Sequence, residues 1–418
     1  MENHEKQKER HDIIVAGGGV AGAAAAVAAA RRGKSVLLIE KSLFFGGLAT
    51  YGLINLFVPM CNGRGRQIIK GMAEEFLRLA IRNGFDSIPE EWKKGEPGEK
   101  ATSRYCTRYS ANIFSMELGR LLEQEGVDML LDTLVTEPVM ESFHCNGLIV
   151  ENKSGRGFYP ADVVIDATGD GDVLYRAGVP MVQGGNYDTY CVMKTDLEAM
   201  KKALDVQDVG KAFYYLPGGK ANLYGKNHPE GKPLYQGVTA EEITAYVLEQ
   251  QRVVLSSLEK TDRSSREIVA LPGMPQFRTT RHIRGAYTMT MEDEYRHFDD
   301  SIGAICDFDR HNYLYEIPYG CIYHPDYDNF LTAGRIAAGE GYAWDLLRVI
   351  PPAIITGQAA GEAAALSLET KRAVGCIDIS VLQKRLEQGN VMIHFSDDWV
   401  PSQNDQNSQL EQGCMEHF

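Results

Sequence analysis

The sequence predicts an α/β fold: a mainly parallel sheet with a small antiparallel meander, interrupted by an inserted α+β domain. Three observations predict it. An apolar strand at His11–Ala16 runs into a glycine turn, an alanine-rich helix and a second apolar strand that ends in Glu40. Short apolar runs of the same kind return far downstream, at Asp162–Ala167 and Phe330–Ala333. Between those runs, residues 176–310 change texture, with Tyr, Lys, Gly and Pro frequent from Tyr214 to Tyr235. Short apolar runs bounded by turns suit strands that are buried on both faces of a parallel sheet.

The elements follow in order. His11–Ala16 centres on Ile13-Ile14-Val15, and Gly17–Gly22 makes the turn. Ala23–Arg32 is a run of helix formers with two arginines in its last turn and Gly33 as its C-cap. Ser35–Ile39 completes a βαβ unit. Ile68, Ile69, Met72, Phe76, Leu79 and Ala80 predict a helix over Gln67–Arg82. Phe114, Leu118, Leu121 and Leu122 predict another over Asn112–Gln124. Ser87–Thr102, rich in Pro, Gly, Glu and Lys, reads as an exposed loop. Val127–Glu151 alternates and contains Asn146-Gly147, which predicts a meander turning there. Thr239 and Glu242 read as a capping box that opens a helix in the inserted domain. Pro351-Pro352 opens a long helix, since proline suits a first turn. No period of about 20–50 residues repeats, so a solenoid or propeller is not expected. The elements divide the chain into 11–175, an inserted domain at 176–310 and a second part of the first domain at 311–395, with flexible tails at 1–10 and 401–418.

Composition narrows the function. The 418 residues are 44% hydrophobic and 24% charged, a globular balance that excludes disorder as the overall state. A net charge of −14 repels phosphate backbones and argues against a nucleic-acid partner. No apolar run reaches the roughly 18–20 residues of a membrane span. The N-terminus is charged and lacks a hydrophobic signal region, so a cytoplasmic protein is expected. The eight cysteines contain no CxxC pair, so neither zinc nor iron–sulfur is expected from local spacing, and the thiols should be reduced.

Gly17-x-Gly19-x-x-Gly22 carries the first chemical signal, because it follows a strand and opens a helix. Gly17 permits the tight turn, Gly19 lets the backbone approach a pyrophosphate, and Gly22 lets the helix lie close to the sheet. The helix N-terminus offers free N–H groups to the phosphates. Glu40, 18 residues after Gly22, is placed to accept hydrogen bonds from a ribose. NAD and FAD both use this fingerprint. Gly46-Gly47 would suit backbone lying against a flavin, and two later strand–turn segments, Val163–Asp170 and Asn329–Arg335, exceed what a simple NAD domain needs.

On these segments the chain resembles the FAD-dependent oxidoreductases of the two-dinucleotide-binding-domain type. Arg278-Thr279-Thr280-Arg281-His282-Ile283 resembles the family's Arg-Glu-Ser-Arg-Arg-Ile block, with Thr279 in place of the glutamate. Tyr315–Tyr319, Arg348–Pro351 and Thr356–Gly361 also match, and the resemblance covers about residues 11–395. It departs at Ala337–Tyr342, where the family often has a Ser-Ala-Thr-His-type stretch. The resemblance implies a Rossmann-like FAD-binding domain. It implies that FAD meets Gly17, Gly19, Val20, Ala21, Gly22, Glu40, Lys41, Gly46, Gly47, Leu48, Ala49, Val135, Ala167, Thr168, Gly169, Gly334, Arg335, Arg348, Ile350 and Pro351.

It also implies hydride transfer between flavin N5 and a small organic substrate, at a C–H next to a hydroxyl or at an activated C=C bond. The electron donor or acceptor is not named by the sequence. Arg281, Arg278 and His282 are the catalytic candidates. Two arginines three apart could share one face and clamp a carboxylate, or could brace the domains. Asp309 and His311 are further candidate proton carriers, and Tyr319 and Tyr342 suit either a flavin face or the core. The helix at 351–368 would aim its dipole at the flavin. Two other readings stay open: a dehydrogenase using NAD alone, and a flavin-binding redox sensor or structural flavoprotein without turnover. No second complete Gly-x-Gly-x-x-Gly is present.

Overall fold

The structure, a computed structural model, describes residues 6–99, 101 and 103–402. Strand β1 (His11–Ala16), helix α1 (Val20–Arg31) and strand β2 (Val36–Ile39) form the expected βαβ unit, with Ile13 opposite Val36 and Ala16 opposite Ile39. β3 (Asp128–Leu130) extends the sheet beyond β2. β4 (Leu134–Glu141), β5 (His144–Asn152) and β6 (Gly155–Asp166) form the antiparallel meander. β6 serves both layers. Its first half closes the meander, and Ala161–Asp166 runs parallel between β1 and β7 (Phe330–Thr332). The parallel order is therefore β3-β2-β1-β6-β7. All residues of β2 and β7 are buried, as the apolar runs required.

Helix α2 (Ile350–Thr370) lies on α1 with almost no side chain between them. A Cβ added at Gly357 would stand 2.2 Å from the carbonyl oxygen of Ala21, and one at Gly361 would stand 2.3 Å from that of Ala25. Small residues on both helices let the backbones touch, and the contact is dry and dense. The Arg32–Glu362 ion pair at 2.7 Å closes its far end.

The segment from 176 to 310 carries a three-stranded antiparallel sheet of Tyr214–Lys220, Thr189–Asp196 and Arg266–Ala270, with helix Ala240–Leu258 beside it. Tyr190, Val192, Tyr235, Tyr246, Val254 and Phe277 form its own small core. Ile283, Met289, Ile302 and Ala304 already belong to the main core, so the chain returns to the main body before residue 310.

Several local expectations shift. The helix expected over Gln67–Arg82 spans Met72–Ile81, because Gly71 sits at φ +66° and the Ile68 and Ile69 N–H groups bond Met60's carbonyl instead. The meander turns at Ser142-Phe143, and Asn146-Gly147 lies inside β5. The loop at 87–102 is not wholly exposed. Trp92 is buried and stacks on Tyr105 at 5.0 Å. Thr239 caps its helix as expected, but Glu242 accepts the N–H groups of Gln236 and Gly237 rather than closing a box. Of the tails expected at 1–10 and 401–418, residues 1–5 and 403–418 lie outside the described part, while Lys6–Gln7 forms a short strand beside β6. Among the described residues, no helix is long and apolar enough to cross a membrane.

The α1–α2 contact yields a stability prediction. Gly→Ala in a helix interior ordinarily stabilises by about 1 kcal/mol. Gly361→Ala should instead destabilise by about 1–3 kcal/mol in urea unfolding, because the new methyl meets backbone that cannot turn away. A variant at least as stable as the wild type would show that the two helices separate freely.

Candidate functional site

The parallel strands end along one edge, where ligands of open α/β sheets bind. An open cleft runs along it. It is walled by the turn after β1, Glu40-Lys41 after β2, the Gly46–Ala49 loop, Thr133–Val135, Ala167–Gly169 after β6, Ala333–Arg335 after β7, and Ile350 and Ala353 of α2.

Helix α1 starts at this cleft without a side-chain cap, and Val20 and Ala21 of its first turn line it. Their N–H groups are donors of the kind that hold phosphate. A Cβ at Gly19 would meet no protein atom within 4 Å, so Gly19 faces open cleft. A Cβ at Gly22 would stand 1.9 Å from Gly17's carbonyl oxygen, so Gly22 serves the packing of turn on helix. Glu40 is 4% exposed, and its carboxylate accepts the Gly18 N–H at 2.7 Å and the Ser42 N–H at 2.8 Å. It therefore shapes the glycine turn as well as facing the cleft.

The opposite wall is charged. Asp166, at the end of β6, accepts from the N–H and hydroxyl of Thr168 and from the Leu174 N–H, fixing the turn that follows. Burial pushes its carboxyl up to about 6, against those hydrogen bonds. Burial also pushes Asp170 up, but the charge and hydrogen bond of Arg335, at 2.8 Å, outweigh it and hold that carboxyl below its ordinary range. Arg335 lines the cleft, and its Nε is buried with no protein partner among the described residues. Such an orphaned donor is costly unless a ligand meets it. At the start of α2, Pro351 and Pro352 carry no N–H and Ala353 donates to Val349, which leaves Ile350's N–H as the donor offered.

Of the twenty residues predicted to meet the cofactor, eighteen line this cleft; Gly22 and Pro351 stand behind it. Sequence reasoning missed Ile39, Tyr51, Thr133, Leu134, Asp172, Met274, Ala333 and Ala353. Thr133, Leu134 and Ala353 adjoin predicted positions and were within reach of the motif. Met274 carries no pattern of its own.

The catalytic candidates separate. Arg278 lines a small open chamber with Asn186, Gln276, Asp345 and Arg348, and Arg348 also lines the cleft. Arg281 does not reach either space. It pairs with Asp172 at 3.2 Å and lies over the Tyr175 ring at 4.1 Å. Arg281–Ile283 is a strand paired with Met181–Gln183, so the three-residue spacing does not place Arg278 and Arg281 on a helical face. His282 donates to or accepts from no cavity group. Its Nδ1 contacts Ile283's carbonyl at 2.8 Å, its ring meets Trp344 edge-on, and burial lowers its pKa. Asp309 is hydrogen-bonded by the Tyr224 hydroxyl. A Cβ at Gly63 would stand 2.8 Å from Nδ1 of His311, which lines neither space. Tyr319 is a core residue donating to Val374's carbonyl. Tyr342 donates to Asp307 at 2.8 Å between the rings of Tyr224 and Phe308.

A parallel sheet whose strand ends carry an uncapped glycine turn, a buried glutamate and a second glycine–arginine wall has the form of a dinucleotide-binding α/β fold. The chain belongs to the FAD dependent oxidoreductase family, whose model matches residues 12–214 and 217–386. FAD is thus its cofactor, and the protein is an enzyme. No curated protein matches this chain. Among solved structures it is similar to a geranylgeranyl bacteriochlorophyll reductase-like protein from Thermoplasma acidophilum, at 15% identity over 94% of each chain and a TM-score of 0.44. It is similar to a flavoprotein/dehydrogenase from Cytophaga hutchinsonii, at 14% identity over 87% of this chain and 80% of that one, TM-score 0.45. A myxobacterial chondrochloren halogenase is similar at 15% identity over 96% and 88%, TM-score 0.48.

The two glycines should behave differently on substitution. Gly19→Ala has an extended backbone and open space, so unfolding stability should stay within about 0.5 kcal/mol of wild type. FAD affinity in an apoprotein titration should fall at least about tenfold, or about 1.4 kcal/mol. Gly22→Ala should lose about 1–3 kcal/mol of stability through overpacking. Equal FAD affinity in Gly19→Ala would remove that glycine from the ligand wall.

Proposed function

We propose that FAD lies along the cleft and that the enzyme transfers a hydride between flavin N5 and a small, carboxylate-bearing organic substrate held in the adjoining chamber. Glu40, Lys41 and Thr133–Val135 would hold the adenosine half. Val20, Ala21 and Arg335 would hold the pyrophosphate, and Gly46–Ala49 with Ile350 the flavin end. When bound, FAD supplies the two-electron chemistry. The chain supplies binding, orientation and charge.

One observation carries the substrate class. Arg278 is partly buried and lines the chamber beside Asp345, whose charge acts on it, but among the described residues no carboxylate hydrogen-bonds or ion-pairs with its guanidinium. Burial first, and then the charge of Arg348, pull it down to about 10, so it stays cationic at neutral pH. Arg348 is already neutralised by Asp345. A partly buried cation without a close counterion carries a desolvation cost. A substrate carboxylate would supply the missing partner in the bidentate geometry that a guanidinium favours. Because Arg348 borders both spaces, an anchored substrate would be presented toward the flavin end of the cleft. Oxidation of a C–H beside a hydroxyl and reduction of an activated C=C bond both fit this arrangement. A cytoplasmic setting agrees with the free thiols of Cys61, Cys145, Cys191, Cys306, Cys321 and Cys376.

An anaerobic panel of small hydroxy acids and unsaturated acids, each paired with its methyl ester, tests the reading by change in the flavin spectrum. Hydroxy acids should bleach the oxidised flavin. Unsaturated acids should restore the colour of dithionite-reduced flavin, and the esters should do neither. Arg278→Ala and Arg278→Lys should keep bound FAD and its spectrum. Their substrate-driven flavin reduction should fall at least about tenfold, or about 1.4 kcal/mol of transition-state stabilisation. Wild-type rates in both variants would make Arg278 a structural residue. Response to acids and esters alike would overturn the carboxylate anchor.

A further inference from the structure

We propose that His297, Glu316 and His394 form a structural zinc site, independent of the flavin chemistry. The three come from separate parts of the chain, and one ligand atom of each lies within 4.8 Å of the others. Glu316 has no exposed surface, and no Lys or Arg pairs with it among the described residues. Its Oε1 lies 2.6 Å from His297 Nδ1, and its Oε2 lies 2.9 Å from His394 Nδ1. Oε2 also accepts the Phe298 N–H at 2.8 Å.

A second observation points to a cation. The other ring nitrogen of His297, Nε2, meets Asp397 Oδ1 at 3.1 Å. A carboxylate behind a ligating histidine fixes its proton on the outer nitrogen, and metal-binding histidines are almost always held this way. In a metal-bound form the proton would sit on Nε2 toward Asp397, and the Nδ1 lone pair and the Glu316 carboxylate would both face the ion. Two imidazoles and a carboxylate are the donor set of zinc. Zinc–ligand distances of about 2.0–2.2 Å imply ligand atoms about 3.3 Å apart in a tetrahedron, so the Glu316–His297 contact at 2.6 Å and the Glu316–His394 contact at 2.9 Å would both open to admit the ion. The half-exposed histidines leave room for water as the remaining ligand.

The role follows from position. None of the three residues lines the cleft or the chamber. His394 lies in the segment after helix Ile379–Gln388, which is hydrogen-bonded to strand Ser301–Cys306 through Ser301 to Ile393 at 2.7 Å and Ala304 to Met392 at 2.6 Å. Glu316 lies on the paired strand Leu314–Pro318. A bound ion would staple this C-terminal segment to the strand pair.

The test uses the full-length, FAD-loaded protein, stripped with EDTA and titrated with Zn²⁺ alone by calorimetry, with thermal unfolding alongside. One Zn²⁺ per chain should bind and raise Tm. Asp397→Asn should weaken uptake about 10–100-fold, and His394→Gln, which removes a ligand on an exposed side chain, should weaken it further. Both variants should keep the wild-type flavin spectrum as the control for folding. No stoichiometric uptake, or uptake and Tm rise unchanged in His394→Gln, would reduce the cluster to imidazole–carboxylate hydrogen bonds. Uptake of Fe²⁺ or Mn²⁺ but not Zn²⁺ would overturn the zinc assignment.

Discussion

The backbone contact between α1 and α2 is the constraint on which the rest depends. Gly357 and Gly361 let one helix rest on the carbonyls of Ala21 and Ala25 in the other, more than 300 residues away in the chain. That contact sets Ile350 and Ala353 opposite Gly17–Ala21 and brings the turn after β7 to the same strand ends. The two walls of the cleft come from opposite ends of the chain, and neither makes a cleft alone. A side chain larger than alanine along this seam would hold the walls apart.

Charge in the site is distributed unevenly, and the pattern is informative. Arg335 pairs with Asp170, Arg281 with Asp172, and Arg348 with Asp345. Each of those charges is paired within the fold. Among the described residues Arg278 has no such ion pair, and it borders the chamber beside Asp345. On the proposed function, the contrast sets arginines that build the site apart from one that a substrate carboxylate would meet. Substrate binding would then complete an ion pair that folding leaves open, which offsets the cost of a partly buried charge.

Much of this was legible in the sequence because the signals are local. The glycine turn, the alanine helix and Glu40 lie within one βαβ unit, and the two later strand–turn segments announce themselves by their small residues. Legibility failed where a side chain's direction depends on a partner distant in sequence. Arg281 and His282 belong to a strand paired with Met181–Gln183, which sends one to Asp172 and the other against Trp344. Asn146-Gly147 has turn chemistry but sits in a strand because Gly147 passes close to Tyr159's carbonyl. Gly71 delays the start of a helix whose apolar spacing begins before it. The His297–Glu316–His394 cluster has no spacing to read, since its members meet only after folding.

The central claim is that one cleft, walled on both sides of the α1–α2 contact, is built for a whole dinucleotide. Flavin content measures this most directly. The purified protein should be yellow, and acid release followed by chromatography should yield one FAD per chain, because Glu40 and the α1 turn would hold the ribose and pyrophosphate that join the flavin half to the adenosine FMN lacks. Recovery of FMN alone, or of a nicotinamide cofactor without flavin, would contradict the account.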